Sequence, residues 1–379
     1  MMGGAWRTTM GRALLLAGAL FFSLVGQVHA GVIPGVALSW RDPPEVIAQA
    51  AALGATSARV DAPWDQIESS GGQYSLPPWL KRLVAEAKAH RVELLLILDY
   101  GHPQHGADKP SNDAEREAFG RYAAWLVGTL KGDVKYFQLW NEWEARTGRT
   151  TPGNARDYAA LARVVMPMLR AANPDAIVLS NGTSYPALTT RWLDELLAEK
   201  VLKLFDGFAV HPYVFFRRTD WSPEAAIRLL DKVRDKVTAA GQDIPFYVTE
   251  FGFPDYDGPQ GVAPEVVASF LTRFFLLADA RPWIQGVWWY CLRDQGSQAA
   301  EREHSFGLLG ADFRPKPAAQ AFQQVARLAT GAKRGSVRAE GRRYTWQAAG
   351  SATRATWSED ATLLPGSRRQ PATAPKVEK

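Results

Sequence analysis

The sequence predicts an α/β fold, a (β/α)8 TIM barrel with a small C-terminal β appendage, and three observations carry that expectation. Eight short apolar runs alternate with segments whose apolar residues recur at helical spacing, which is the pattern of a parallel sheet covered by helices. Two of the runs lead into a glutamate, Glu142 and Glu250, which lie 108 positions apart, or three units of 36. That unit is close to the roughly 30-residue strand–helix unit implied by an eightfold barrel of about 250 residues, with loops added. After Gly331 the helical spacing stops and two short strand-like segments flank a turn.

Taken in order, residues 1–30 read as a signal peptide. Arg7 and Arg12 precede an apolar stretch from Ala13 to Gly26, and Val28-His29-Ala30 offers a small-residue cleavage pattern, so the mature chain is expected to begin near Gly31. The stretch falls short of the ~20 residues a spanning helix needs, which favours a secreted or periplasmic protein over a retained signal anchor. Residues 31–332 are assigned to the barrel. Its strands are read at Ile33 to Leu38, Ser57 to Asp61, Glu93 to Leu98, Val134 to Trp140, Ala176 to Ser180, Gly207 to Val210, Phe246 to Thr249 and Gly286 to Tyr290. Helical spacing appears between them, as in Leu80-Leu83-Val84-Ala87 and Tyr158-Leu161-Val164-Val165-Leu169. Ser222-Pro223 marks one helix start, an N-cap followed by proline at the first helical position. A last helix, Pro317 to Leu328, closes the ring. Residues 333–365 form the appendage, with Arg342 to Ala348 and Thr353 to Ser358 as a hairpin. Residues 366–379, basic and without apolar period, are expected to be disordered.

Composition bounds the function. The chain of 379 residues is 46% hydrophobic and 22% charged, enough to bury a full core and unlike a disordered or membrane-embedded protein. Cys291 is the only cysteine, which excludes an intramolecular disulfide and any thiolate-rich metal site. Residues 31–332 carry 32 basic and 35 acidic side chains, whereas 333–379 carry 10 and 4. A basic tail could touch acidic polysaccharide or a membrane surface, although a solvated end is the simpler reading. Nucleic acid is not an expected partner of an exported chain, and oligomeric state is not legible.

An ionisable side chain at the end of a buried strand is costly unless it has partners or a task, and a pair of carboxyls is what glycosidic bond cleavage requires. His211 and Tyr213 share a face of their strand end through the two-residue period, as do Trp288 and Tyr290. Aromatic rings can stack on a pyranose face, although most aromatics in a barrel are core; Tyr290, Trp288 and Asp294 are assigned to the cleft around strand eight. Trp64 and Trp143, on loops, and His102 and His105, after strand three, are further lining candidates, weighed against packing and plain exposure. No His-x-His pair opens the first strand and no glycine-rich loop follows a strand to cradle phosphate, so neither a metal nor a cofactor is expected.

At four places in order, over most of residues 31–330, the chain resembles clan A glycoside hydrolases. In that clan an Asn-Glu pair ends strand four, a second glutamate ends strand seven, an arginine lies on strand two and a His-x-Tyr group follows strand six. Here Asn141-Glu142, Glu250, Arg59 and His211-Pro212-Tyr213 stand in those places. Arg59 to Glu68 with Gly72-Gln73-Tyr74 also looks like the clan's strand two and its loop. Within the clan the chain is similar to glycoside hydrolase family 39 and related bacterial exopolysaccharide endoglycosidases. One departure is local: Trp143 and Glu144 follow the Asn-Glu pair where many clan members have proline.

The resemblance implies that Glu142 is a general acid/base and Glu250 a nucleophile in a retaining double displacement. It implies that Arg59 keeps Glu250 ionised, Asn141 bonds the sugar 2-hydroxyl, Tyr213 bonds the nucleophile and His211 orients its neighbours. The expected substrate is a polysaccharide or oligosaccharide, with endo-action on β-linkages of a bacterial exopolysaccharide favoured. An exo-acting β-glycosidase on short oligosaccharides is the near rival, and a non-catalytic polysaccharide-binding barrel is the alternative of another class.

Overall fold

Eight parallel strands are each followed by a helix: β1 (Ile33–Ala37), β2 (Ser57–Pro63), β3 (Glu93–Asp99), β4 (Tyr136–Leu139), β5 (Ile177–Leu179), β6 (Phe208–His211), β7 (Phe246–Phe251) and β8 (Ile284–Trp289). The helices are α1 (Val46–Ala52), α2 (Pro78–His90), α3 (Asp113–Thr129), α4 (Ala155–Ala172), α5 (Arg191–Ala198), α6 (Pro223–Ala239), α7 (Pro264–Asp279) and α8 (Pro317–Ala329). The structure, a computed structural model, describes Met1 and residues 31–69, 72–216, 220–259, 261–329, 333–359 and 374–378. The expected signal peptide, Met1 apart, lies outside the described residues. Among those residues, no helix is long and apolar enough to cross a membrane.

The sheet runs β5-β4-β3-β2-β1-β8-β7-β6 and ends on a ninth, two-residue strand, Thr183–Ser184, that follows β5 in the chain and pairs with β6; a parallel bridge from Leu179 to Gly207 also joins β5 to β6, with Ser180 N donating to Gly207 O at 3.0 Å. Closure explains why the strands read as continuous apolar runs: both faces are buried. One face fills the barrel, where Leu95, Ile97, Tyr136, Leu179, Ala209, Tyr247 and Trp288 pack together. The other packs on the helices, which turn residues such as Leu83, Val165 and Phe274 inward. Local signals set the helix starts. Asn112, Asn154 and Ser222 each accept a hydrogen bond from the backbone N–H three residues on, satisfying one orphan donor of α3, α4 and α6.

The appendage is a four-stranded antiparallel sheet in sequence order: β9 (Ser336–Glu340), β10 (Arg343–Gln347), β11 (Arg354–Ser358) and β12 (Lys376–Glu378). The hairpin of β10 and β11 was expected; the outer two strands were not. Both are mostly exposed, so they lack the apolar alternation that announces a strand, and they form by pairing with the open edges of the hairpin. This corrects the expectation of disorder over 366–379 at its end, where Arg354 and Glu378 also form an ion pair at 2.6 Å. Residues 366–373 of that tail lie outside the described residues.

Two buried tryptophans seat the appendage on the barrel. Trp346 Nε1 donates to Asp279 Oδ2 at 3.2 Å, at the end of α7, and Trp357 Nε1 donates to Glu224 Oε1 at 2.8 Å, in the first turn of α6. Glu224 is itself paired with Arg273 of α7, both side chains being fully buried. The appendage therefore packs on the outer face of α6 and α7.

Candidate active site

Glu142 and Glu250 meet at the C-terminal mouth, the end where barrels of this class carry their chemistry. A carboxyl oxygen of each, with a ring nitrogen of His211, lies within 4.8 Å of the others. Glu142 follows β4 in a left-handed backbone conformation (φ 47°), and Trp140 two residues before it has φ 74°. Non-glycine residues seldom adopt that region, and such strain gathers where a side chain must be aimed.

Each carboxyl is held differently. Glu250 Oε1 pairs with Arg59 Nη2 at 2.8 Å, and its Oε2 accepts from the Tyr213 hydroxyl at 2.9 Å. Burial alone works against ionisation of Glu250, but Arg59, His211 and the Tyr213 hydrogen bond outweigh it and hold the group below the usual carboxylate range. Glu142 Oε1 contacts His211 Nδ1 at 2.9 Å, while His211 Nε2 contacts the Thr249 hydroxyl at 3.0 Å. The fully buried His211 thus orients Glu142 from behind without reaching the open cleft. Arg59 also donates to Asn141 Oδ1 at 2.8 Å, so one guanidinium ties strands two, four and seven together.

Above the pair lies a cleft of about 580 Å³, lined by Arg59, Asn141, Glu142, Tyr213, Glu250 and Tyr290 among others. The phenols of Tyr213 and Tyr290 are pushed well above the ordinary tyrosine range, by burial first and by the Glu250 charge as well, so both remain hydrogen-bond donors. A close pair of carboxyls, one held ionised and one at the end of a hydrogen-bond chain, can supply a nucleophile and a proton carrier to a single sugar ring.

Five of the expected site residues lie elsewhere. Trp288 is fully buried in the barrel interior, its ring edge beneath Gly35, and donates to Ser57 Oγ at 3.1 Å; it shares a face with Tyr290, but a layer deeper. Trp64 is also fully buried, stacked on His105 and Tyr122, and donates to Glu68 Oε2 at 2.5 Å. His102 packs against Trp64 and contacts Glu68 O, so that loop folds inward as a small core of its own. Asp294 bonds Lys316 and the Gly307 backbone and faces a separate hollow, where it braces the loop after β8. Trp143 is core as well, donating to Asn154 O at 3.0 Å. Each is apolar enough, or well enough partnered, to gain more from burial than from lining water.

Asp61, Tyr100, Trp40, Arg41, Arg146 and Phe215, none of them expected at the site from the sequence, also line the cleft. Asp61 was within reach, since it sits two positions beyond Arg59 on the same strand face. The others sit on loops, where spacing carries no direction.

A family model for cellulase (glycosyl hydrolase family 5) matches residues 27–289, more than half of the chain. The chain belongs to the cellulase family, glycosyl hydrolase family 5. It is therefore a clan A glycosidase, and a carbohydrate is its substrate. No curated protein sequence matches it. Among solved structures, a family 39 glycoside hydrolase from the gut symbiont Bacteroides cellulosilyticus WH2 superposes with a TM-score of 0.72 at 22% identity, over 87% of this chain and 71% of that one. A GH5_18 protein from Bifidobacterium longum subsp. infantis gives 0.62 at 17%, covering 79% of each chain. A monomeric beta-xylosidase from Caulobacter crescentus CB15 gives 0.65 at 16%, over 90% of this chain and 78% of that one. At these identities the likeness is one of fold, and it spans both families.

In this family 5 glycosidase, Glu142, His211 and Glu250 are, among the described residues, the group whose donor atoms converge closely enough to ligate a metal ion. Their existing contacts oppose it. Both ring nitrogens of His211 are engaged, and the Arg59 charge beside Glu250 repels a second cation.

Glu144 is a further carboxyl of the glycosidase near the pair. Its Oε1 accepts from Ser184 N at 2.6 Å and its Oε2 from Asn181 Nδ2 at 3.0 Å. Burial and then the Glu142 charge raise it to about 7. A carboxyl whose folded value is raised binds more protons folded than unfolded, so this group lowers stability as pH climbs from the ordinary carboxylate range to about 7. Glu144→Gln is expected to remove that slope, making the variant relatively more stable at pH 8 than at pH 4 by on the order of 2 kcal/mol. Melting temperatures of both proteins across that range check it; parallel curves would refute the assignment.

Proposed function

We propose that this glycosidase is a retaining enzyme, with Glu142 as general acid/base and Glu250 as nucleophile. The close approach of the two carboxyls carries the reading, because retaining enzymes hold them about 5 to 5.5 Å apart and inverting ones about 6.5 to 9.5 Å. Glu250, ionised beside Arg59, attacks the anomeric carbon while protonated Glu142 delivers its proton to the leaving oxygen. Glu142, now a carboxylate, takes a proton from water, which attacks the glycosyl-enzyme ester and releases Glu250. His211 holds Glu142 in line for both steps, and Asn141 bonds the 2-hydroxyl of the ring.

The substrate is a polysaccharide, cut internally at β-linkages, and an exopolysaccharide fits the export suggested by residues 1–30, which would place the enzyme outside the cell or in the periplasm. Loops following β1, β4 and β8 contribute Arg41, Arg146 and Arg302 to one cleft, a spread suited to a chain longer than one sugar. The deciding experiment is active-site labelling with 2-fluoro-glycosides of several configurations, read by peptide mass, followed by sizing of products from a panel of bacterial exopolysaccharides. A label on Glu250 supports the mechanism. Binding of polysaccharide with no label from any configuration would instead favour a non-catalytic barrel, and release of single sugars alone would favour exo-action.

A further inference from the structure

Arginines in this protein mostly carry a carboxylate partner: Arg59 has Glu250, Arg293 has Asp42 at 2.6 Å and Arg302 has Glu303 at 2.8 Å. Arg41 and Arg146 break that habit. Both are exposed and both line the cleft, yet among the described residues neither has a carboxylate within salt-bridge range. They stand on different sides of the mouth, one after β1 and the other after β4. The Arg41 guanidinium is not loose, because it lies over the Trp40 ring at 4.2 Å, a cation–π contact between two residues that both line the cleft. Arg146 lies in a basic setting with Arg149 in the same loop, and its charge helps to depress the neighbouring Lys109. Glu303, the acid on this rim, is already held by Arg302, and Asp61 feels Arg41 without touching it.

We infer that Arg41 and Arg146 recognise carboxylates on the glycan, so that the polymer cut by this enzyme is acidic rather than neutral. The inference rests on the glycosidase reading above and names its substrate class. A planar guanidinium fork matches a carboxylate bidentately, which a neutral hydroxyl cannot do, and cations on two sides of the mouth would read charged sugars on both sides of the scissile bond.

The test uses the full chain carrying Glu250→Gln, so that binding is measured without turnover, against β-linked oligosaccharides rich in uronate and the same compounds after carboxyl reduction. A third arm, mild alkaline de-esterification of acidic exopolysaccharides, separates uronate from ester-linked acidic substituents. The expected result is binding of the charged forms about tenfold tighter than their reduced forms, with most of that preference lost in Arg41→Gln and Arg146→Gln and weakened by salt. Equal or tighter binding of the reduced forms, or a preference unchanged in both arginine variants, overturns the inference and leaves the glycosidase reading intact. Failure of the fluoroglycosides to label Glu250 in the unmodified protein would instead remove the reading beneath it.

Discussion

Glu250→Gln is expected to lower kcat/KM by about four orders of magnitude or more while the barrel still folds. The amide keeps the shape, and its carbonyl can still accept from Tyr213 or Arg59, but it has no charge with which to attack an anomeric carbon. Glu142→Gln should behave differently, and the difference separates the two roles. Without a proton donor, cleavage of an unactivated glycoside collapses, whereas an aryl glycoside whose leaving group needs no protonation still forms the glycosyl-enzyme, which then accumulates because no base activates water. Steady-state rates on both substrate types, with a burst measurement for Glu142→Gln, check the pair. Near-normal turnover in either variant rejects its assigned role. Because Arg59 is buried beside Glu250, a modest loss of stability in Glu250→Gln is expected too, and circular dichroism separates it from loss of chemistry.

The second large effect concerns the seat of the appendage rather than the carboxyl pair. Glu224 receives Arg273 and Trp357 in a site closed to water, so Glu224→Ala takes the carboxylate from a buried guanidinium and an acceptor from a buried indole at once. Removing one member of a buried ion pair costs about 3–5 kcal/mol. Urea unfolding should show that loss, and limited proteolysis should show the appendage opening, since Trp357 is one of its two anchors. A double variant, Glu224→Leu with Arg273→Met, should recover most of the stability by replacing the pair with apolar volume. A loss below about 1 kcal/mol in the single variant would mean that the pair contributes little to holding the appendage.

Much of the architecture is legible in the chain because parallel strands buried on both faces must be apolar throughout, and helices that cover them must repeat at 3.6 residues. The eight strands and Ser222 as a cap follow from those local rules. Strand-end positions are legible for a related reason: Arg59, Asn141, Glu142, His211, Tyr213 and Glu250 gather because every strand points the same way, so their ends converge at one mouth. Loop residues are another matter. Trp64, His102 and Asp294 occupy loops at that same mouth and yet turn away from the cleft, while Arg41, Arg146 and Phe215 turn into it.

The set of elements, their direction and the strand ends carrying polar groups are written locally in the chain, since each depends on a short-range period or on the burial of a contiguous run. Depth and aim emerge only on folding: Trp288 fills the barrel below Tyr290, Glu68 draws Trp64 and His105 inward, Arg59 spans three strands, and Arg41 and Arg146 at the cleft stand without carboxylates. Those facts depend on which side chains meet after closure, over separations of tens to hundreds of residues, and no local rule records the partner a charge or an indole will find.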